Sequence, residues 1–107
     1  MKKRSTKSVA HEKGLLEDLK DLEFAAHFLS SSIEGLPAEE ASDILVDGIA
    51  LVAKAQGVAR VASRSGLLRE TIYKALKKQG NPTLSTLHGV LDGIGIEMSF
   101  KVKRQAR

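Results

Sequence analysis

The side chains best suited to specific chemistry are concentrated in residues 69–74. Arginine can form paired hydrogen bonds with guanine O6 and N7, glutamate can accept from cytosine N4, and lysine can contact guanine or phosphate. If the stretch is helical, four side chains project from the face opposite Ile72 and Leu76: Arg69, Glu70, Tyr73 and Lys74. This pattern predicts a surface that reads the edges of nucleic-acid bases.

Basic and polar residues on both sides of this stretch could hold phosphates and fix its register on a duplex. The full predicted DNA-binding set is Arg60, Arg64, Leu68, Arg69, Glu70, Thr71, Tyr73, Lys74, Lys77, Lys78, Asn81 and Thr83. Two alternatives stay open within this set. Glu70 could pair with Lys74 at i, i+4 as surface decoration, and Tyr73 could simply cover a small apolar cluster.

Two short helices joined by a tight turn are predicted over residues 58–77. Val61 and Ala62 share one helical face, and the small side chain of Ala62 allows a second helix to cross closely. Gly66 supplies the positive φ that ends the first helix, and Ile72 is the apolar anchor of the second. This spacing is typical of a helix-turn-helix, although any helical hairpin can carry it.

Catalytic chemistry has no comparable pattern. The three histidines, His11, His27 and His88, show neither metal-ligand spacing nor a neighbouring serine or acid arranged for catalysis. A glycine-rich phosphate loop is missing, and the 107 residues include no cysteine, which fits a reducing cytosol. We therefore expect no enzyme activity, no catalytic residue, no metal and no cofactor.

Charge is unevenly distributed, although the net charge is only +4. Residues 12–47 carry ten acidic and two basic side chains, whereas residues 54–80 carry seven basic side chains and one acidic one. This polarity favours a polyanion on one face and a basic partner on another, although solvated faces are the commoner meaning of charge runs. Because no apolar run reaches membrane-spanning length and no apolar signal core follows the basic start, we expect a cytoplasmic protein without a membrane partner.

Apolar stripes at helical spacing predict that the chain is mainly α. Outside the two motif helices they predict helices over residues 15–33, 38–56 and 84–94. Thr83 is a good N-cap for the last of these, and Gly93 and Gly95 should end it. The expected architecture is a five-helix bundle that forms a single DNA-binding domain over residues 13–107. Residues 1–12 are predicted to be a disordered basic tail.

One short strand is predicted at the C-terminal end, over residues 96–103. Its apolar positions alternate with polar ones: Ile96, Met98, Phe100 and Val102. A lone strand leaves its backbone groups unpaired, so we expect it to pair with the same strand of a second copy, the alternative being a frayed extended tail. A homodimer would also supply the second recognition helix that a palindromic operator in double-stranded DNA requires.

Several motifs together resemble a known family. Residues 61–76 read VASRSGLLRETIYKAL and residues 80–96 read GNPTLSTLHGVLDGIGI, with weaker matches in EFAAHFL at residues 23–29 and VAKAQG at residues 52–57. In this combination the chain resembles the HigA-type antitoxins, or addiction module antidote proteins, of the Xre/Cro-like helix-turn-helix group. The resemblance covers about three quarters of the chain, most specifically residues 66–84.

The resemblance implies a lambda-repressor-like fold and two linked activities. Such proteins bind DNA as dimers and repress their own operon, and they neutralise a toxin encoded by the adjacent gene. The toxins usually belong to the basic, mRNA-cleaving RelE/ParE superfamily, which the acidic residues 12–47 would suit. The sequence leaves open a solitary Xre-type regulator without a toxin, and a helical bundle that binds only proteins.

The chain departs from the family pattern at the start of the second motif helix. Where relatives usually have serine, this chain has Leu68. A leucine cannot accept a hydrogen bond from the first turn, so the loss of the cap should cost the helix about 1 kcal/mol. Val58 and Ala59 likewise replace the glutamine or threonine that often holds a phosphate at the start of the first motif helix.

Overall fold

A computed structural model describes residues 13–77 and 80–103, and within these ranges the chain is helical apart from its connections and residues 95–103. Six helical segments follow one another: α1 at residues 13–18, α2 at Leu22–Ile33, α3 at Ala38–Gln56, α4 at Val58–Ser65, α5 at Arg69–Leu76 and α6 at Leu84–Ile94. The mainly α prediction is confirmed. The predicted tail at residues 1–12 and the predicted contact at Lys78 lie outside the described residues.

The prediction of one helix over residues 15–33, and with it the count of five helices, is wrong. The helix is interrupted at residues 19–21, where Asp21 becomes the N-cap of α2 and its carboxylate accepts from the backbone N–H of Glu23. The side-chain amide of Gln56 donates to the carbonyls of Leu19 and Lys20, at 3.1 and 3.0 Å. These bonds satisfy carbonyls that the break in the helix would otherwise leave without partners.

Helix α3 has the predicted bounds and packs closely on α2. The cause is Gly48, where a Cβ would lie 3.0 Å from Leu29 Cδ2. At the end of α3, Gly57 adopts a φ of 96° and donates its N–H to the carbonyl of Ala53, so that α4 can begin at the next residue. Gly57 thus ends α3 at the predicted boundary.

The core is wholly apolar among the described residues and is shared by all six helices. Helix α4 packs most extensively on α6, while α5 lies against α3, α4 and α6. The most completely buried large side chains are Leu19, Ile49, Val52, Val61, Ile72, Val90 and Ile94. In the described part of the chain, no helix is both long and apolar enough to span a membrane.

The prediction that Gly93 ends α6 is wrong. Gly93 lies buried inside the helix, and only Gly95, with a φ of 106°, ends it. A Cβ at Gly93 would lie 2.6 Å from the carbonyl oxygen of Val61 and 2.8 Å from Ser65 Cβ. The missing side chain therefore lets α6 approach the backbone of α4.

The predicted strand at residues 96–103 does not form within the single chain, where these residues belong to no helix or strand. Ile96 and Met98 pack against the chain's own core, whereas Phe100 and Val102 are each 93% exposed. The segment thus has an inner half, residues 96–98, which packs on the core, and an outer half, residues 100–102, whose apolar side chains are in solvent. Pairing of the outer half with a second copy stays a prediction.

Candidate nucleic-acid interface

The turn between α4 and α5 has the predicted conformation. Gly66 adopts a left-handed conformation, with φ 81° and ψ 3°, and donates its N–H to the carbonyl of Ala62 at 3.0 Å. The hydroxyl of Ser65 donates to the same carbonyl and accepts from the backbone N–H of Leu67 at 3.1 Å. These hydrogen bonds close the turn and determine the direction in which α5 leaves it.

Helix α5 has one buried face and one exposed face. Ile72 and Leu76 are buried, at 1% and 8% exposure. The exposed face carries the four side chains predicted to meet bases: Arg69, Glu70, Tyr73 and Lys74. In the described part of the chain, Glu70 forms no ion pair with Lys74, and Tyr73 is 59% exposed instead of covering an apolar cluster. All four groups are therefore free to meet a ligand.

Further basic residues of the predicted set lie on α4 and directly after α5. Arg60 and Arg64 lie on the exposed side of α4, which Val61 anchors from its buried side. Lys77 is exposed directly after α5, while Thr71 is half-buried at the edge of the helix. The described cationic residues of the predicted set are thus exposed on α4, on α5 and directly after α5.

Helix α5 begins without a side-chain cap, as its sequence predicts. Leu68 occupies the N-cap position in an extended conformation and makes no capping hydrogen bond. Its side chain is 68% exposed, whereas the neighbouring Leu67 packs against the core beside Gly89. The two adjacent leucines therefore have opposite roles, one inside the domain and one on its surface.

The segment before α6 contributes two further predicted contacts. Asn81 and Thr83 are both exposed. The hydroxyl of Thr83 accepts from the backbone N–H of Thr86 at 3.1 Å, which confirms the predicted N-cap of α6. The threonine hydroxyl is therefore occupied by the cap, and the exposed backbone around Asn81 is the part of this segment open to a phosphate.

Two residues that position the site were not recognised from the sequence. Gly93 allows α6 to support α4, and Gly89 lies against Leu67 of the turn, where a Cβ would be 3.2 Å from its Cδ1. Their spacing of four residues on one face of a helix is a signal of close helix packing that could have been read. Gln56, which joins α3 to the end of α1, has no such local signal.

The acidic residues of α3 and the basic residues of the predicted DNA-binding set lie on different segments of the chain. On α3, Glu39, Asp43 and Asp47 follow one another at i, i+4 and i+8 and are all exposed. The basic residues lie on α4 and α5. Among the described residues, no group of three or more histidine, aspartate or glutamate side chains is placed to hold a metal ion.

These features define a small helical protein with a basic, solvent-exposed helix pair. Residues 9–102 match the family model described as "Probable addiction module antidote protein", and the chain belongs to this family. A relative from Haemophilus influenzae, named only as an uncharacterized protein, is 27% identical in an alignment 97 residues long, which covers 86% of this chain and 100% of the relative. No solved structure matches the chain. Family membership indicates an antitoxin role in general terms.

Proposed function

We propose that this protein is a HigA-type, Xre-family antitoxin that binds its own operator through α4 and α5 and neutralises a basic toxin of the RelE/ParE superfamily. The observation that carries the DNA-binding part is the exposed face of α5. Arg69 and Lys74 stand in solvent on the side opposite the buried Ile72 and Leu76. A helix anchored on one side and carrying free base-reading groups on the other is suited to the major groove.

In this arrangement α5 is the recognition helix and α4 crosses the backbone. Arg69 pairs with guanine O6 and N7, Glu70 accepts from cytosine N4, and Lys74 contacts guanine or phosphate. Arg60 and Arg64 on α4 hold phosphates and set the register of the helix pair. Since α4 packs closely on α6 and α5 lies against α3, α4 and α6, the fold holds the proposed phosphate and base contacts in a set relation to each other.

Fluorescence anisotropy with a labelled duplex from the protein's own promoter tests DNA binding. Arg69→Ala should weaken binding by about 1–3 kcal/mol per half-site, because one bidentate base contact is lost. Affinity of the wild type should also fall steeply with salt, since phosphate contacts release counterions. Lys20→Ala removes the same charge from the acidic part of the chain, where Lys20 pairs with Glu17 at 3.4 Å, and should leave binding unchanged.

Failure of the wild type to bind the duplex at low salt would reject DNA binding and leave a helical module that binds only proteins. Equal binding by the wild type and Arg69→Ala, with a normal salt dependence, would instead reject α5 as the reading helix.

The toxin-binding part of the proposal rests on family membership and on the acidic α3 surface. Glu39, Asp43 and Asp47 project from one side of α3 and are complementary to a basic partner. The triple variant Glu39→Lys, Asp43→Lys and Asp47→Lys should lose capture of the adjacent gene's product while retaining operator binding. Glu97→Lys, which reverses an exposed acid elsewhere, is the matched control. The absence of a short basic reading frame beside this gene would favour a solitary regulator.

The homodimer is proposed from the outer half of the C-terminal segment. Phe100 and Val102 are almost fully exposed, and burial of such side chains against a second copy would be favourable. Size-exclusion chromatography with light scattering should give a dimer for the wild type and a monomer for Phe100→Ser with Val102→Ser. Leu84→Ser, at an equally apolar site that is 70% exposed, should remain dimeric.

A further inference from the structure

Leu68 differs from the N-cap residues of α2, α3, α4 and α6 because it exposes a large apolar side chain to solvent. Helices α3 and α4 also begin without a side-chain cap, at Pro37 and Gly57. Helices α2 and α6 begin at Asp21 and Thr83, whose side chains accept from a backbone N–H of the first turn. Leu68 offers no acceptor to α5 and instead leaves 68% of its surface in water. A leucine therefore stabilises neither the helix nor the core at this position, and such a break of local rules is typical of functional sites.

The surroundings of Leu68 limit what its side chain can meet. Within the chain the core position is already filled by Leu67, which lies against Gly89 of α6. On the outside, Leu68 directly precedes the exposed Arg69 at the start of α5, in the most basic part of the described chain. A polyanion is the partner that fits such surroundings, and the one exposed apolar group on base edges in the major groove is the 5-methyl group of thymine.

We infer that Leu68 contacts the 5-methyl group of a thymine in each half-site and determines the base preferred there. This inference rests on the proposed DNA binding and adds a specificity-determining residue to it. Arg69 supplies the hydrogen-bonding part of the recognition, and Leu68 supplies an apolar contact beside it. Thymine differs from uracil only in this methyl group, so the contact can be removed from the DNA without changing any hydrogen bond.

The experiment is a double-mutant cycle in which the Leu68 side chain and the thymine methyl group are removed separately and together. Operator duplexes carry deoxyuridine in place of each thymine in turn, and their affinities for wild type, Leu68→Ala and Leu84→Ala are measured by anisotropy. For the wild type, one position per half-site should lose about fourfold in affinity, the value expected for one buried methyl group. Leu68→Ala should bind the thymine and deoxyuridine duplexes equally. Leu84→Ala removes a leucine of equal exposure from the start of α6 and should keep the wild-type preference.

Three results would overturn the inference while leaving the proposed DNA binding intact, and the first two concern the thymine methyl group directly. In one, the wild type binds every deoxyuridine duplex as tightly as the thymine duplex, although Arg69→Ala still weakens binding. In the other, Leu68→Ala retains the preference for thymine. If Leu68→Ala instead loses only dimerisation or capture of the adjacent gene's product, its side chain serves a protein contact and the inference is again rejected. Absence of any DNA binding by the wild type would reject both proposals together.

Discussion

Helices α5 and α6 begin with nearly the same backbone and with opposite chemistry. The N-cap residues Leu68 and Thr83 have φ, ψ values of −76°, 146° and −73°, 162°. Thr83 accepts a hydrogen bond from the first turn of α6, whereas Leu68 makes none. One helix start is thus built for stability, and the other gives up that stability and exposes an apolar side chain.

The same contrast continues along the two helices. Helix α6 buries Val90, Leu91, Gly93 and Ile94, so its C-terminal half serves the core. Helix α5 buries only Ile72 and Leu76, with Ala75 packed beside them, and exposes Arg69, Glu70, Tyr73 and Lys74 to solvent. The comparison teaches that α6 is the supporting helix and that α5 is the supported helix with a solvent-exposed face. Substitutions at the buried anchor of α5, in the supporting helix α6 and at each helix start test this comparison.

Removal of the anchor of α5 should have the largest effect. Ile72 is 1% exposed, and Ile72→Ala should lower the free energy of unfolding by about 2–5 kcal/mol, because it removes buried surface and leaves a cavity. Urea unfolding followed by circular dichroism at fixed protein concentration measures this change. Tyr73→Ala, on the exposed face of the same helix, should stay within about 0.5 kcal/mol of the wild type. Equal effects of the two substitutions would contradict the two-faced description of α5.

A substitution in the supporting helix α6 should have the next largest effect on stability. Gly93→Ala forces a Cβ against the carbonyl oxygen of Val61, and we expect it to cost about 1–3 kcal/mol through overpacking. Thermal unfolding measures the loss. In Gly14→Ala the new Cβ meets nothing within 4 Å, so this control should be neutral or stabilising. A neutral Gly93→Ala would mean that α4 and α6 do not need to approach so closely.

The cap of α6 should be worth less than the packing of its buried face. Thr83→Ala removes the acceptor for the N–H of Thr86, and the free energy of unfolding should fall by about 1 kcal/mol. Thr83→Ser, which keeps a hydroxyl at the N-cap, should recover most of this loss in the same urea titration. If serine and alanine are equally destabilising, the contribution of Thr83 is not the hydrogen bond.

At the uncapped start of α5, a substitution that adds a cap should raise the free energy of unfolding instead of lowering it. Leu68→Ser supplies the missing acceptor and should raise the free energy of unfolding by about 0.5–1 kcal/mol. In the same variant the preference for thymine over deoxyuridine should disappear, so stability and recognition should change in opposite senses. Unfolding and anisotropy measurements on one preparation test both. A variant that is less stable than the wild type would show that Leu68 serves the fold after all.

Local patterns were sufficient for most of the helices. The bounds of α3 and α6, the left-handed Gly66 and the cap at Thr83 follow from interactions among residues at most four apart, and these are visible in the sequence. The exposed face of α5 follows in the same way from the spacing of Ile72 and Leu76. The DNA contacts proposed for Arg69 and its neighbours stay predictions, since they concern a partner rather than the chain itself.

The predictions from the sequence that are wrong all concern places where distant parts of the chain meet. The break between α1 and α2 lies within an uninterrupted apolar stripe, and the amide of Gln56 that satisfies its carbonyls comes from 36 and 37 residues away. Gly93 was misread as a helix end, because glycine both terminates helices and permits close packing. The C-terminal segment alternates regularly, yet its inner half packs on the chain's own core.

The sequence by itself therefore determined where the helices of the motif lie, which charges accompany them, and that α5 starts without a cap. These properties depend on backbone preferences and neighbouring side chains, which act over one or two helical turns. Only the tertiary structure decided that Gly93 brings α6 against α4, that Gln56 satisfies the carbonyls at the end of α1, and that Leu67 packs against the core while Leu68 is exposed. Each of these depends on how helices meet, and the contacts made there join residues that no local pattern connects.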